Sequence, residues 1–462
     1  MKKTYEIDMS EGKLFPKVVA FAIPLIISSI LQLGFNAADL IVVGRFAGDN
    51  SLAAVGSTGS LVLLVINILL GMGTGTSVLV SRYFGAKDEE KLLDTIRTTC
   101  VIAVVGGILF GVVGILASEW LLRIMGTPDE VLGLSAVYLR IYFAGLPVIV
   151  LYNFTGAALR AVGDSRRPLL YLTIAGVMNV GMNIFFVVVF HLDVVGVALA
   201  TLISQCISCF LTVRCLLRSK TICRLEMKGF RFSVPQFREI VRIGLPAGIQ
   251  GSMFSISNVL IQSSVNSFGA IVMAGNSAAA SIEAFLFVAQ DSMGQAAVAA
   301  VSQNMGAREY ERVRKAVRCC LLLTIGVSIV LSACSMIFRR TLMGIYTSDP
   351  AAIDAGCVRL IVLGIIYFTN GIQSMMGGIL RGHGYSILPT VISLLGICVF
   401  RVFWIYTIFD ANHTLECLYM SYPISWILTI IAEFICYFLV RKKSYEKNEA
   451  LFAAEAAAAA AE

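Results

Sequence analysis

Residues 18–44 of the chain read VVAFAIPLIISSILQLGFNAADLIVVG and contain a single charged residue, Asp39. About 20 apolar residues in a helix cross a hydrocarbon core about 30 Å thick, so this stretch is long enough to span a membrane. A carboxylate at membrane depth is costly, and acids in such positions commonly serve a function. The stretch therefore predicts a transmembrane helix that carries a functional acid.

The rest of the chain has the composition of a membrane protein. Its 462 residues are 58% hydrophobic and 14% charged, with a mean hydropathy of +0.84. Soluble domains carry about 25% charged residues. We predict an all-α polytopic protein with 12 transmembrane helices. The apolar blocks cover 18–44, 52–80, 98–118, 131–159, 169–190, 194–213, 243–267, 272–300, 319–338, 357–380, 387–409 and 417–440.

The basic residues are divided unequally between the two sides that these spans define. With a cytoplasmic N-terminus, 29 Lys and Arg fall in inner segments and 6 in outer ones, and Arg401 lies within a span. Cytoplasmic loops are enriched in Lys and Arg, so both termini are predicted to be cytoplasmic, in a cell-membrane protein. The N-terminus lacks the pattern of a cleaved signal peptide. The net charge of +7 needs no nucleic-acid partner to explain it.

The two halves of the chain repeat each other. AIPLIISS (22–29) aligns with GLPAGIQG (244–251) at an offset of 222, and SRYFGAKDEE (81–90) aligns with SQNMGAREYE (302–311) at 221. GAALRAVGDSRRP (156–168) aligns with GGILRGHGYSILP (377–389), also at 221. With six spans in each half, this predicts two six-helix lobes related by a parallel internal repeat, which suits transport by alternating access.

The repeat divides the chain into five parts. The two lobes carry the function, and the Ala-rich tail is excluded from the functional argument. We predict a cytoplasmic N-terminus (1–13), an N-lobe with spans 1–6 (14–218), a cytoplasmic linker (219–236), a C-lobe with spans 7–12 (237–443) and a low-complexity cytoplasmic tail (444–462).

Asp39 shares a helix face with other polar residues. Gln32, Phe35, Asn36 and Asp39 are spaced i, i+3, i+4, i+7, which places them on one side of the first span. Lipid offers no partner for such a stripe, so we expect it to face the lobe interior or a water-filled cavity. A structural acid, hydrogen-bonded inside the bundle, is the alternative.

The fifth span offers oxygen ligands to Asp39. Asn179 and Asn183 are spaced i, i+4 and therefore lie on one helix face. A carboxylate with amide and hydroxyl oxygens suits Na⁺, so Asp39, Asn179 and Asn183 are candidate Na⁺ ligands. A desolvated carboxylate suits H⁺ equally well. The alternative for the asparagines is a purely structural role as hydrogen-bond partners between helices.

The C-terminal half holds no copy of Asp39, since the repeat offset leads to Ile261. Its candidate site residues are Glu283 and Asp291 on the eighth span and Arg401 on the eleventh. Each acid can form a structural ion pair with Arg401, or face the cavity and attract a cationic substrate. Glu433, about two turns from the cytoplasmic end of the last span, is expected at the membrane interface.

The twelve spans, the duplicated blocks and NAADLIVVGRF (36–46) resemble the multidrug and toxic compound extrusion (MATE) family, most closely its DinF-like branch. The resemblance covers about 14–443. It implies a cation-coupled antiporter that exports organic, mostly cationic compounds by alternating access. No cofactor is implied beyond the coupling ion, H⁺ or Na⁺.

The resemblance also implies roles for particular residues. Asp39 would be the coupling acid, acting with Asn179, Asn183 and Thr201, with Tyr138 nearby on the fourth span. The sequence departs from the family pattern at Asn183, where relatives often carry a second acid. One negative charge then remains instead of two, which leaves both H⁺ and Na⁺ open as the coupling ion.

Other classes of protein fit less well. GMGTGTS (71–77) has the composition of a phosphate-binding loop, but it lies at the end of a span without the following Lys-Ser/Thr pair, so we predict no enzyme. The remaining alternative is an exporter of lipid-linked oligosaccharides or metabolites from the same superfamily. The predicted partners are small organic cations and membrane lipids, and the predicted state is a monomer.

Overall fold

The computed structural model describes residues 5–219, 222–225 and 231–461, and this part of the chain is helical, without strands. The first half contains α1 (Leu14–Val42), α2 (Asp49–Ala86), α3 (Glu89–Ile124), α4 (Asp129–Ala144), α5 (Leu146–Ala161), α6 (Arg166–Ile184) and α7 (Asp193–Arg218). The second half contains α8 (Val234–Asn266), α9 (Ala270–Gly306), α10 (Tyr310–Ile337), α11 (Arg339–Tyr346), α12 (Pro350–Gly364), α13 (Tyr367–Gly382), α14 (Ile387–Ser393), α15 (Phe400–Trp404) and α16 (Leu415–Ala461).

Four π-helical segments continue some of these helices. The segment Val43–Ala47 follows α1, and Phe185–Val189 follows α6. In the second half, Leu394–Val399 joins α14 to α15, and Ile405–Phe409 follows α15. Segments of this kind are frequent at functional sites, and α1 and α6 carry the predicted coupling residues.

The internal repeat is visible in where the helices begin. Asp49 opens α2 and Ala270 opens α9, 221 residues later. The same separation holds for the first residues of α5 and α13, Leu146 and Tyr367. The sequence repeat therefore corresponds to a repeat of helices.

Backbone geometry repeats at the helix ends as well. Gly48 and Gly269 precede α2 and α9 with φ of +84° and +91°, a conformation that favours glycine. Lys87 and Arg308, which follow the same two helices, both have φ of +58°. A left-handed residue commonly ends a helix, so the two halves use one termination scheme.

Most of these helices can cross a membrane. Within the described residues, nine helices are long and apolar enough, and up to 11 spans result if each bent pair counts as one. The pairs are α4 with α5, bent by 48°, and α12 with α13, bent by 52°. The one predicted span not yet accounted for, 243–267, falls in α8. The 33 residues of α8 are less apolar than those of the nine helices above, but they extend about 50 Å at 1.5 Å per residue. The all-helical polytopic class and the duplicated lobes are confirmed.

The chain forms two compact units. Unit 1 comprises Met1–Ile7 and Ile23–Gly248, and unit 2 comprises Asp8–Ala22 and Ile249–Glu462. Residues 8–22 belong to unit 2 because the fully buried Met9 is tied to it: Met9 N donates to Gln303 Oε1 at 2.8 Å, and Arg312 Nε donates to Met9 O at 3.0 Å. The start of α8 belongs to unit 1, where Gly244 and Gly248 pack against the backbone of α2.

The predicted domain limits remain a prediction. The N-terminal segment 1–13 and the linker 219–236 include 1–4, 220–221 and 226–230, which lie outside the described residues. The tail 444–462 continues α16 as far as Ala461.

Candidate functional site

A chain of hydrogen bonds joins the predicted coupling residues in unit 1. Asn183 Nδ2 on α6 donates to Asp39 Oδ1 on α1, and also to Asn179 Oδ1 at 3.3 Å. Asn179 Nδ2 in turn lies 3.5 Å from Thr201 Oγ1 on α7, the long limit of such a bond. We call these four residues the Asp39 cluster. They connect three helices of one unit.

The Asp39 cluster holds one negative charge without a basic partner. Asp39 is half-buried, whereas Asn179 and Asn183 are buried. Among the described residues, Asp39 accepts its hydrogen bond from a neutral amide and forms no ion pair. Asn183 Oδ1 is buried and has no hydrogen-bond partner there. A half-buried carboxylate in neutral surroundings is a candidate for binding a proton or a small cation.

Close contact between α1 and α6 positions Asp39 against Asn183. A Cβ atom added to Gly176 on α6 would overlap the ring of Phe35 on α1. Phe35 lies one helical turn before Asp39, and Gly176 lies two turns before Asn183, so both residues are on the approaching faces. The glycine therefore lets α1 come near enough for the Asp39–Asn183 hydrogen bond.

The other predicted residues of the first half lie differently. Gln32 and Asn36 are exposed on α1, outside the hydrogen-bonded cluster. Tyr138 on α4 packs against the core residues Ala54, Val131 and Val194. Its phenol is within electrostatic range of Asp39, and no hydrogen bond joins the two. The structure thus brings four of the predicted residues together, with Tyr138 at their edge.

In unit 2, Glu283 is held by Arg359. Arg359 Nε donates to Glu283 Oε1 at 2.9 Å, and Nη2 donates to Oε2 at 2.6 Å. Arg359 Nη1 donates to Asn276 Oδ1 at 2.7 Å, which also accepts from the Tyr419 hydroxyl at 3.1 Å. Both partners of the ion pair are buried. Pairing of Glu283 with Arg401, one of the two expectations for this acid, is wrong.

Arg401 instead contacts neutral groups. Its Nε donates to Ser425 Oγ at 3.1 Å, and its guanidinium lies 4.1 Å from the ring centre of Tyr422 and 5.8 Å from that of Trp426. Only 4% of Arg401 is exposed. Asp291 is half-buried and accepts from Gln295 Nε2 at 3.0 Å, so it does not pair with Arg401 either.

Glu433 is fully buried inside unit 2, and its position at the membrane interface stays a prediction. Its Oε1 accepts from Ser393 Oγ at 3.3 Å and from Gln373 Nε2 at 3.4 Å. Gln373 on α13 and Ser393 on α14 both contact this turn of α16, so neighbouring helices bury the acid.

Sequence reasoning missed Arg359 as a site residue, although the repeat contained a signal for it. Arg359 follows Tyr138 by 221 residues, and Arg401 follows Asn179 by 222. Tyr422 likewise follows Thr201 by 221. Applying the repeat offset to each predicted residue of the first half would have found all three. The equivalent positions carry a tyrosine, an asparagine and a threonine in one lobe, and two arginines and a tyrosine in the other.

The Asp39 cluster fits a proton directly and Na⁺ only in part. Among the described residues no group of three His, Cys, Asp or Glu side chains could hold a metal ion. An Na⁺ set of Asp39, Asn179 and Asn183 needs oxygens, whereas Asn183 directs its Nδ2 at the other two side chains. Rotation of that amide would bring the unpartnered Oδ1 toward them.

Membrane-length helices in duplicate, with ionisable groups buried inside each unit, define a polytopic membrane transporter. The sequence profile of the MatE family matches the chain twice, at 24–185 and 246–407, with starts 222 residues apart. The chain belongs to the MatE family, whose members are transporters and not enzymes. The resemblance inferred from the sequence is thereby confirmed, while its DinF-like branch remains a prediction.

Individual relatives match along most of their length. The probable multidrug resistance protein YpnP of Bacillus subtilis (strain 168) is 27% identical over 85% of this chain and 88% of its own. The probable multidrug resistance protein YoeA of the same strain is 28% identical over 84% and 85%. An outward-facing structure of a multidrug resistance MATE family transporter of the MOP superfamily has a TM-score of 0.88, with 24% identity, covering 97% of this chain and 100% of that one. That likeness concerns the fold.

Proposed function

We propose that this transporter exports small organic, mostly cationic compounds in exchange for an inward-moving cation, by alternating access. The names of the two Bacillus relatives support drug export. The observation that carries the coupling is the Asp39 carboxylate, which lies inside unit 1 with a neutral amide as its partner.

Removing a charged group from water has a large cost in free energy. An ionised carboxylate in a low-dielectric interior costs several kcal/mol unless a cation neutralises it, about 20 kcal/mol in the idealised limit. A basic residue would neutralise Asp39 permanently, and the hydrogen bond from Asn183 does not. Asp39 is therefore suited to take up a cation in one step of a cycle and to release it in another.

We infer that the coupling ion is the proton, with Na⁺ as the alternative. Asn183 already directs its amide hydrogens at Asp39 and Asn179, an arrangement that suits a carboxylate and needs no change when a proton binds. An Na⁺ ion would need the Asn183 amide to rotate. A single acid also gives Na⁺ fewer charged ligands than a pair would.

The proposed setting is a monomer in the cell membrane, with membrane lipids around it and both termini in the cytoplasm. The excess of Lys and Arg in alternate connections supports this orientation. Large apolar side chains on the outer surface support contact with lipid: Leu116 is 80% exposed and Ile345 is 73% exposed.

Purified protein in vesicles tests this function directly. Efflux of a fluorescent organic cation is measured with a pH gradient alone, with an Na⁺ gradient alone, and with neither. We expect export with the pH gradient and none above empty vesicles without a gradient. Export that is equally fast without either gradient would contradict ion coupling. Export driven only by Na⁺ would contradict the proton and retain the alternative ion.

A second candidate function is export of an acidic compound, such as a lipid-linked oligosaccharide or an anionic metabolite. Arg359 is neutralised by Glu283, whereas the contacts of Arg401 within the described part of the chain are with neutral groups, so this group of unit 2 carries a surplus positive charge. In the same vesicles, Arg401→Gln separates the candidates. Loss of export of an anionic dye with retained export of a cationic dye would support the second function, and the reverse would exclude it.

A further inference from the structure

Glu433 of unit 2 is a buried acid whose bonding is incomplete. Its two hydrogen bonds, from Ser393 and Gln373, are longer than 3.2 Å, the upper end of the usual range for such bonds. Both reach Oε1, and the buried Oε2 has no hydrogen-bond partner in the described part of the chain. A carboxyl group with one unsatisfied oxygen is unusual in a protein interior.

Arg381 on α13 also lacks one of its possible hydrogen bonds. Its Nη2 donates to Gln250 Oε1 on α8 at 2.6 Å, while its buried Nε has no partner among the described residues. Within this part of the chain, Arg381 forms no ion pair with Glu433. Across the described residues, Arg381 Nε is a buried donor without an acceptor, and Glu433 Oε2 is a buried acceptor without a donor. The two groups could form a hydrogen bond with each other, and in this structure they do not.

Gly377 shows that the two groups adjoin the same position. A Cβ atom added there would lie 3.7 Å from Glu433 Oε1 and 3.8 Å from both Nη atoms of Arg381. These are ordinary contact distances, so both side chains lie beside Gly377, which has no side chain of its own to separate them. Reorientation of the two side chains across this position would join them.

We propose that Glu433 is a proton-binding site in the C-terminal lobe, alternating between a protonated carboxyl group and a carboxylate paired with Arg381. In the protonated form, Arg381 holds Gln250 through the hydrogen bond that this structure shows. On deprotonation the carboxylate accepts hydrogen bonds from Arg381, because an unpaired charge in a protein interior is strongly unfavourable. The proton is released as the ion pair forms, so the negative charge that appears on Glu433 is neutralised by the positive charge of Arg381.

The neighbouring groups favour a proton over a metal cation. Arg381 on α13 is the charged group that acts on Glu433, and Asp291 on α9 acts on Arg381. Cys436 lies on the same helix as Glu433 and within its electrostatic range. A metal ion would be repelled by the guanidinium, and Ser393 and Gln373 present donors to the acid rather than oxygens to a metal.

The site belongs to one lobe only. The repeat offset of 221 relates Arg381 to Arg160, so the first half also has the arginine. It relates Glu433 to Thr212, whose hydroxyl donates to Ser208 O of its own helix at 2.7 Å. The first half therefore lacks the acid, and the inference concerns a function separate from that of the Asp39 cluster.

The consequence for the protein is a link between a proton and α8. Arg381 holds Gln250 when Glu433 is protonated, and Thr390 Oγ1 also lies 3.4 Å from Gln250 Oε1. When Arg381 turns to the carboxylate, it releases this contact with α8. Uptake of a proton would thereby change how α8 is held within unit 2.

Infrared difference spectroscopy of the purified transporter tests the site without a substrate. Raising the pH from about 6 to about 9 does not change the charge of exposed acids, which are already ionised throughout this range. We expect the parent to lose a protonated-carboxyl band and gain a carboxylate band. Glu433→Gln should lack this component and Glu433→Asp should show it at a shifted frequency. The control Glu416→Gln, an exposed acid on the same helix, should match the parent.

Asp39→Asn makes this experiment independent of the proposed coupling role. We expect that variant to keep the Glu433 component even if it transports nothing. The inference is overturned if Glu433→Gln and the parent give the same difference spectrum, or if Glu433→Asp leaves the component unshifted. Its transport part, which rests on the proposed ion-coupled export, predicts that Glu433→Gln changes the pH profile of efflux, and an unchanged profile overturns that part alone.

Discussion

Asn183 donates a hydrogen bond from its amide to Asp39, whereas Arg359 donates two to Glu283. The acid in the first lobe is therefore bonded to a neutral donor, and the acid in the second lobe has a permanent cation. Removing the cation from a buried pair costs about 3–5 kcal/mol, so the pairing of Glu283 with Arg359 is a fixed part of the fold. Asp39 can change its charge at a much smaller cost. The pairing indicates a coupling role for Asp39 and a structural role for Glu283.

Replacing Asp39 by Asn should abolish gradient-driven export. The amide has nearly the shape of the carboxyl group but cannot exchange a proton or neutralise a cation. We expect efflux of an organic cation from vesicles to fall to the level of empty vesicles, with normal yield of folded protein. Asp410→Asn, which alters an exposed acid, should export like the parent. Export by Asp39→Asn at the parental rate would show that coupling lies elsewhere.

Restoring a second acid should change which ion is used. Asn183→Asp would place two carboxylates beside each other, with Asn179 still in hydrogen-bond range, and a set of this kind suits Na⁺. We expect the variant to export with an Na⁺ gradient as its driving force, and the parent to respond mainly to pH. Asn412→Asp, at an exposed position, is the control. The same ratio of Na⁺-driven to pH-driven export in both proteins would contradict the ligand argument.

The contact of Gly176 with Phe35 should be sensitive to one added methyl group. Gly176→Ala forces α1 and α6 apart, and overpacking of this kind costs about 1–3 kcal/mol. Gly181 lies on the same helix with nothing within 4 Å of an added Cβ. Gly181→Ala should therefore be neutral or stabilising, by about 0.4–1 kcal/mol. Thermal unfolding in detergent measures both variants.

The double variant Phe35→Ala with Gly176→Ala checks the cause. Removal of the ring gives the added methyl group room, so the double variant should recover part of the melting temperature lost in Gly176→Ala. If the two losses simply add, the Phe35 ring is not what the new methyl group meets.

The spans and their duplication could be predicted because both can be recognised from short stretches of the sequence. A membrane helix needs only a run of apolar residues of sufficient length, and the repeat needs only matching blocks at one offset. The face of α1 that carries Asp39 followed from helical spacing. Asn179 and Asn183 followed from their spacing and their amide oxygens, and Thr201 from resemblance to a family. The structure places all three with Asp39 in one hydrogen-bonded chain.

The partner of Glu283 could not be predicted in the same way. It depends on the rotation of α9 against α12, which bring Glu283 and Arg359 together from positions 76 residues apart in the chain. The burial of Glu433 likewise depends on how α13 and α14 cover α16. Spacing along one helix gives the face on which a residue lies, and tertiary packing decides what that face meets.

Breaking the buried ion pair of unit 2 should cost far more than breaking an exposed one. Arg359→Met leaves Glu283 ionised without a partner, so we expect a loss of about 3–5 kcal/mol in the free energy of unfolding and a much lower melting temperature. Arg340 and Asp354 form a pair at 2.7 Å with both side chains mostly exposed, and Arg340→Met should change stability by about 0–1 kcal/mol.

Adding Glu283→Gln to Arg359→Met should recover much of the lost stability, since the double variant no longer buries an unpaired charge. The pair is structural if this double variant, once folded, exports organic cations at a rate near that of the parent. Export abolished in a double variant that melts like the parent would instead assign Glu283 or Arg359 to the transport cycle. Vesicle efflux and the melting curve, recorded on the same preparations, separate these outcomes.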